Sequence, residues 1–174
     1  MITAETDTYQ SEDLTINRLD GYTETVPSSL ITFPQYGDLF GRLTIESAGI
    51  DAPVYYGDSE RLLKKGVCQY NGSLYVGSGT TVLLSAHNNT YFHTLGEAQI
   101  GDKVLFSTNY GDYVYEVERA EVRSANDASY YDLSADYENL VLYTCYPFNA
   151  LGLTSRRYFV YCKYISGPKI LYDE

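Results

Sequence analysis

Apolar positions along this chain recur mostly at period two, the spacing that puts alternate side chains on one face of a strand. In "GRLTIES" (41–47), Leu43 and Ile45 alternate with polar neighbours and predict a strand facing a core. "APVYYG" (52–57) predicts a second short strand, and "TVLLSAH" (81–87) a buried one that ends on a histidine. "KVLFSTNYGDYVYEVERAEVRS" (103–124) reads as a hairpin, with Asn109, Gly111 and Asp112 supplying turn chemistry between two alternating runs. "NLVLYTC" (139–145) and "RYFVYCKYI" (157–165) read as two further strands. Helical signals are few. "DSERLLKKG" (58–66) predicts a short helix, capped by Asp58 or Ser59 and closed by Gly66 in the left-handed conformation. "NNTYFHTLGEAQIGD" (88–102) predicts a loop with one helical turn. About seven strands with little helix and no internal repeat predict a mostly β fold, a closed or nearly closed β-barrel with short helices and loops.

The two ends lack this pattern. Residues 1–35 read as an N-terminal segment, partly helical around Glu12 to Leu19 or flexible. Within it "TVPSSLITFP" reads as linker, because Pro27 and Pro34 discourage regular structure. The barrel is expected over residues 36–166, with 167–174 as a C-terminal tail. A length of 174 residues fits one such domain with a sizeable core.

Composition narrows the function. A formal net charge of −11 speaks against nucleic acid as a partner, since a surface that binds its phosphates needs a basic stripe. No run of Lys and Arg offers an electrostatic membrane contact. No apolar run reaches the roughly 18 residues of a membrane span, and no signal peptide opens the chain. Membrane attachment is therefore expected only through an anchor absent from this chain. Twenty tyrosines and no tryptophan suit a half-buried pleated surface. Cys68, Cys145 and Cys162 are odd in number, so at least one thiol is free or bonded between molecules. His87 and His93 have no cysteine near them, which is not zinc-finger spacing, and no calcium-loop motif occurs. No metal and no cofactor are expected.

Taken singly, the candidate residues are ordinary. Free cysteine is commonly buried and inert. A lone histidine at a strand end is more often structural than catalytic, and Asn88 and Asn89 beside it could be plain turn formers. Arg156 and Arg157 could be a solvated charge pair. Taken together they make a chemical set, since each lies at the end of a predicted strand. A thiol acts as its thiolate and needs a nearby cation or base. A histidine can protonate a departing amine. An arginine can offset the charge of a tetrahedral intermediate. The chain order, His before Cys, and the lack of a "CGSCW"-like stretch disfavour the papain type.

Two segments carry a specific resemblance. "LLSAHNNTYFHTLGEAQIGDKV" is similar to the histidine segment of sortases, in which a strand-end histidine is followed by a Phe-x-x-Leu turn and a Gly-Asp. "LVLYTCYPFNALGLTSRRYFV" resembles the sortase Thr-Cys segment, with an arginine about a dozen residues on. "GRLTIESAGIDAPVYYGDSERLLKKGVCQYNGS" resembles the upstream strands and short helix of the same family, so the likeness spans roughly residues 38 to 165. The continuation "TCYPF" looks most like class D. The Asp-Pro-aromatic lid of many class C members is missing from "SSLITFPQYGDLFG".

The resemblance implies a cysteine transpeptidase with His87, Cys145 and Arg157 as catalytic residues. Arg157 fits the family's arginine position better than Arg156, because it directly precedes the aromatic and apolar strand "YFVYC"; alternation along that strand would put Arg157, Phe159 and Tyr161 on one face. His93, Cys68 and Cys162 match no family role and read as structural. The implied partners are an LPxTG-like sorting-signal peptide, cut between Thr and Gly, and an amine from a cell-wall precursor or a pilin. The implied location is the outer face of a Gram-positive cell membrane. Unperturbed groups would give about 3% thiolate and about 25% imidazolium at pH 7, hence about 1% of molecules with both charges if independent, and a bell-shaped rate profile. Two other functions fit the same residues: a cysteine peptidase that only hydrolyses such peptides, and a non-catalytic extracellular β-barrel that binds a partner.

Overall fold

Hydrogen-bonded strands need their edges covered, and eight strands here do so by closing on themselves. The computed structural model describes residues 18–126, 131–148 and 154–172. In it β2 (Leu39–Ile45) and β3 (Ile50–Tyr56) form a hairpin, and β4 (Val67–Gln69) runs parallel to β3. Next come β5 (Thr81–Ser85), β6 (Lys103–Thr108), β7 (Gly111–Ser124), β8 (Asn139–Tyr146) and β9 (Arg156–Ser166). The barrel order is β2-β3-β4-β5-β8-β9-β7-β6. The sequence reading of a closed, mostly β barrel holds.

Alternation sets the interior. Leu43, Ile45, Val82, Leu84, Leu140, Leu142, Val160 and Cys162 all face one continuous core. Each fully buried aliphatic side chain contributes roughly 1.5–3 kcal/mol. Tyrosines fill the wide end of this core. The rings of Tyr110, Tyr113 and Tyr115 are fully buried, and each hydroxyl donates, to the Val76 carbonyl at 2.6 Å, the Pro168 carbonyl at 2.5 Å and Glu138 Oε2 at 2.9 Å respectively. A buried phenol without an acceptor would cost more than its ring gains. Odd-numbered residues of β8 and β9 face outward, where Leu83, Val141, Phe159 and Tyr161 form a second, smaller cluster.

The structure departs from the sequence reading at three places. The supposed linker and tail pair with each other: β1 (Thr25–Pro27) runs parallel to β10 (Lys169–Leu171) in a separate two-stranded sheet. Pro27 is tolerated there because it closes a strand of only three residues. The buried strand stops at Ser85, two residues short of His87. The helix α1 (Glu60–Leu63) has the expected Ser59 cap, whose hydroxyl accepts from the Leu62 N–H at 3.3 Å, but Gly66 is not left-handed. Glycine stands at 66 for closeness instead, since a Cβ there would lie 2.6 Å from the Pro53 carbonyl oxygen. Of the helical turn expected over Glu12 to Leu19, only Arg18 and Leu19 lie within the described residues, and they are not helical.

Candidate active site

Two neighbouring strands pair two of the predicted residues, and the third follows the strand on their other side. In β5 and β8, which run parallel, Ser85 pairs with Tyr143. His87 follows Ser85 by two residues, as Cys145 follows Tyr143. The chain keeps that offset beyond the strand: the Thr144 hydroxyl donates to the Ala86 carbonyl at 2.6 Å, and the Ala86 N–H to the Tyr143 carbonyl at 3.4 Å. On the other side of β8, Cys145 pairs directly with Arg157 of β9. Directly paired residues share a face of the sheet. Cys145 and Arg157 therefore project from the outer face, in line with Tyr143, Val141, Phe159 and Tyr161.

The three candidates lie where the packing thins out. Cys145, His87 and Arg157 are all half-buried, whereas Phe159 and Val141, further along the same strands, are buried. Pro147 ends β8 immediately beyond Tyr146. Asn88, itself buried, donates from Nδ2 to the Pro147 carbonyl at 3.0 Å. That bond ties the histidine loop to the cysteine loop. Sequence reasoning treated Asn88 as a turn former. Both braces, Thr144 and Asn88, sit next to a candidate residue, and that adjacency was their only signal.

The histidine segment owes its shape to its apolar residues. Phe92 and Leu95 are fully buried in the barrel core and pin the loop from below. The Gly-Asp pair closes the segment. The Asp102 carboxylate accepts from the Ser47 hydroxyl at 2.6 Å and the Gln99 N–H at 2.8 Å. These two bonds, the Ser47 one first, hold its carboxyl below the usual range.

The electrostatics are simple. His87 Nε2 lies 3.4 Å from Glu60 Oε1 at the start of α1. Among the described residues, the hydrogen bonds of Arg157 all run through Nη1, to the Thr154 carbonyl at 2.7 Å, the Thr154 hydroxyl at 3.3 Å and the Arg156 carbonyl at 3.0 Å. Its positive field reaches Tyr143. Arg156 pairs with Tyr146 on the opposite face, its guanidinium 5.0 Å from that ring's centre.

A family model described as a sortase domain matches residues 43–165. The chain belongs to the sortase family. Sortase D of Bacillus subtilis (strain 168) is 32% identical over 133 residues, covering 76% of this chain and 67% of that protein. A solved Clostridium perfringens sortase D5 transpeptidase matches with a TM-score of 0.68 at 20% identity, over 76% of this chain and 82% of that one. Streptococcus pneumoniae sortase C matches with a TM-score of 0.65 at 24% identity, over 71% and 64%. Those two likenesses are of fold. Family membership makes this sortase an enzyme, a cysteine transpeptidase, and the expected likeness to class D agrees with the Bacillus relative.

The other two thiols of this sortase are core residues. Cys68 and Cys162 are buried and free, and burial pushes both thiols up, that of Cys68 to about 12. Thiols so raised stay protonated and unreactive at neutral pH. His93 is exposed and lines a crevice of about 400 Å³ with Glu97, Tyr146, Phe148 and Tyr158.

Proposed function

We propose that Cys145 is the nucleophile of this sortase, His87 its acid and Arg157 its oxyanion and substrate anchor, acting on an LPxTG-like sorting signal. The observation that supports the reading is the direct pairing of Cys145 with Arg157 on β8 and β9, with His87 two residues past the end of β5, the other neighbour of β8. The Cys145 sulfur attacks the carbonyl carbon of the signal's threonine, forming a C–S bond and a tetrahedral oxyanion. Collapse breaks the C–N bond, and the proton on His87 goes to the departing glycine nitrogen. An amine from a cell-wall precursor or a pilin then attacks the thioester and expels the Cys145 thiolate. Its surplus proton returns to His87.

Arg157 suits the oxyanion because it pairs directly with Cys145 and its bonds to Thr154 and Arg156 use only Nη1, while Nε and Nη2 make no bond to the described residues. Sortases act at the surface of Gram-positive cells, and this chain's work belongs there.

The test is mass spectrometry of the protein mixed with a panel of sorting-signal peptides, beside Cys145→Ala. The expected result is a covalent acyl adduct on Cys145 for one peptide class, discharged faster when an amine is added. An adduct on Cys68 or Cys162, or one unchanged by Cys145→Ala, would overturn the assignment. Discharge by water alone at an unaltered rate would leave a peptidase.

A further inference from the structure

Among the described residues, the Glu60 carboxylate forms an ion pair with His87, and no step above uses it. Its Oε1 lies 3.4 Å from His87 Nε2. Both sides of this contact are anchored. The helix that carries Glu60 is capped by Ser59 and pinned by Leu62, which is fully buried against Tyr55 and Cys68. The histidine loop is tied to the turn just after that helix, because the Tyr91 hydroxyl donates to the Lys65 carbonyl at 3.0 Å. An imidazole has two nitrogens. With Nε2 turned to a carboxylate, Nδ1 is the one left to face the thiol or the leaving amine.

We propose that Glu60 is a positioning residue for the transfer reaction: its carboxylate orients the His87 ring and stabilises the imidazolium that accompanies the Cys145 thiolate. The proposal rests on the roles of His87 and Cys145 given above. Several other charges surround the ring. Asp58, just ahead of the helix, sends its negative field to Cys68 and Tyr143, and Arg157 sends its positive field to Tyr143. Arg61 turns away, its guanidinium 3.8 Å from the Cβ position of Gly37, and Lys65 lies 5.0 Å over the Tyr55 ring. Lys64 follows at the helix end. Glu60 is therefore the carboxylate in contact, and Asp58 a more distant one of the same sign.

The side chains are 33% and 71% exposed for His87 and Glu60, so water screens the pair. An exposed pair of this kind supports an effect of about twofold to fivefold. Its pH signature is distinctive. The active form carries a thiolate and an imidazolium together. Below the lower inflection of the rate profile the imidazole is already protonated, and the active fraction follows the thiol alone. Between the inflections and above them, the active fraction scales with how well the imidazole holds its proton.

The experiment is a single-turnover acylation profile from pH 5 to 10 for the native protein, Glu60→Gln and Glu60→Asp, with the sorting-signal peptide that forms the adduct. For Glu60→Gln the acid limb should overlay the native one. The plateau should fall about twofold to fivefold, and the lower inflection should move to lower pH by the same factor, about 0.3–0.7 unit. Added salt should narrow the difference. Glu60→Asp, which keeps the charge on a shorter stem, should recover part of the plateau. A loss equal at every pH would mean a merely structural contact, and superimposable profiles would mean no role; either overturns the proposal. Native protein that forms no adduct on Cys145 would instead sink the reading beneath it, and the two failures are thus distinct.

Discussion

The two ends of β8 solve opposite problems with the same backbone. Just before its first residue, Glu138 is 9% exposed and fully engaged. It accepts from the Gly79 N–H at 2.9 Å, the Gly77 N–H at 3.3 Å and the Tyr115 hydroxyl at 2.9 Å. At the far end Cys145 is half-buried and faces outward. Thiols tell the same story on the β8–β9 pair: Leu140 pairs with Cys162 inside the barrel, and Cys145 pairs with Arg157 outside it. Five residues along one strand convert an interior position into an exterior one. A polar group at the closed end must be satisfied and then serves stability. One at the open end keeps spare capacity for a substrate.

The largest expected effect breaks this contrast at the thiols. Cys145→Ala should lower acylation by at least about 10³-fold, or about 4 kcal/mol of barrier, with the denaturant midpoint unchanged. Cys162→Ser should do the reverse. It leaves a hydroxyl in an apolar core, so stability should fall by about 1–3 kcal/mol while acylation per folded molecule stays native. Peptide-adduct rates and urea titrations of both variants measure this directly. A Cys162 variant that folds normally but loses acylation would erase the distinction between the two faces.

Next come the two arginines. Arg157→Ala should cost about 10²–10³-fold in acylation, the loss seen when one preorganised oxyanion donor is removed. Arg157→Lys should recover only part, because a point charge cannot reproduce a planar fork. Arg156→Ala, on the other face, should stay within about threefold, since its cation contact with Tyr146 is worth about 0.5–1 kcal/mol at an exposed site. Equal losses at 156 and 157 would show that register does not select the arginine.

Much of this was legible in the sequence, for identifiable reasons. Strands with one buried face, such as β2 and β8, declare themselves by alternation, and β8 runs one residue past the Cys145 at which the sequence reading ends it. The Phe-x-x-Leu spacing was visible because both residues are core residues. Contacts made across the chain were hidden. Asn88 reaches Pro147, and Glu138 reaches Gly77 and Gly79, over separations no local pattern encodes. The pairing of β1 with β10 was hidden for the same reason, and two prolines argued against it. Glu60 beside His87 is likewise a product of how α1 packs on the barrel. Gly66 was noticed for the wrong property: a glycine needed for closeness and one needed for handedness look identical in a sequence.

At the closed end of β8, Glu138→Ala should leave two N–H groups and a phenol without their acceptor, lowering stability by about 2–3 kcal/mol with an unchanged denaturant slope.

The smallest effect is a slope with pH. Desolvation by burial raises the Glu138 carboxyl above its ordinary value of 4.5, and the bonds from Gly79, Tyr115 and Gly77 only partly offset it. A carboxyl raised in the folded state holds its proton to higher pH than the same group in the unfolded chain. Between the two values the folded state binds more protons, so stability falls as pH rises through the window above 4.5 and levels off beyond the folded value. Asp102 and Asp132 are lowered instead, chiefly by their bonds from the Ser47 and Ser134 hydroxyls. Their contribution has the opposite sign and is lost only as pH falls below about 4. Glu138→Gln keeps a carbonyl oxygen for the donors and removes the titration. The difference between native and Glu138→Gln stability, measured by urea from pH 4 to 8, should shift steadily in favour of the variant as pH rises. A flat difference would mean that Glu138 titrates alike folded and unfolded, and the closed end of β8 would then be no less solvated than the open one.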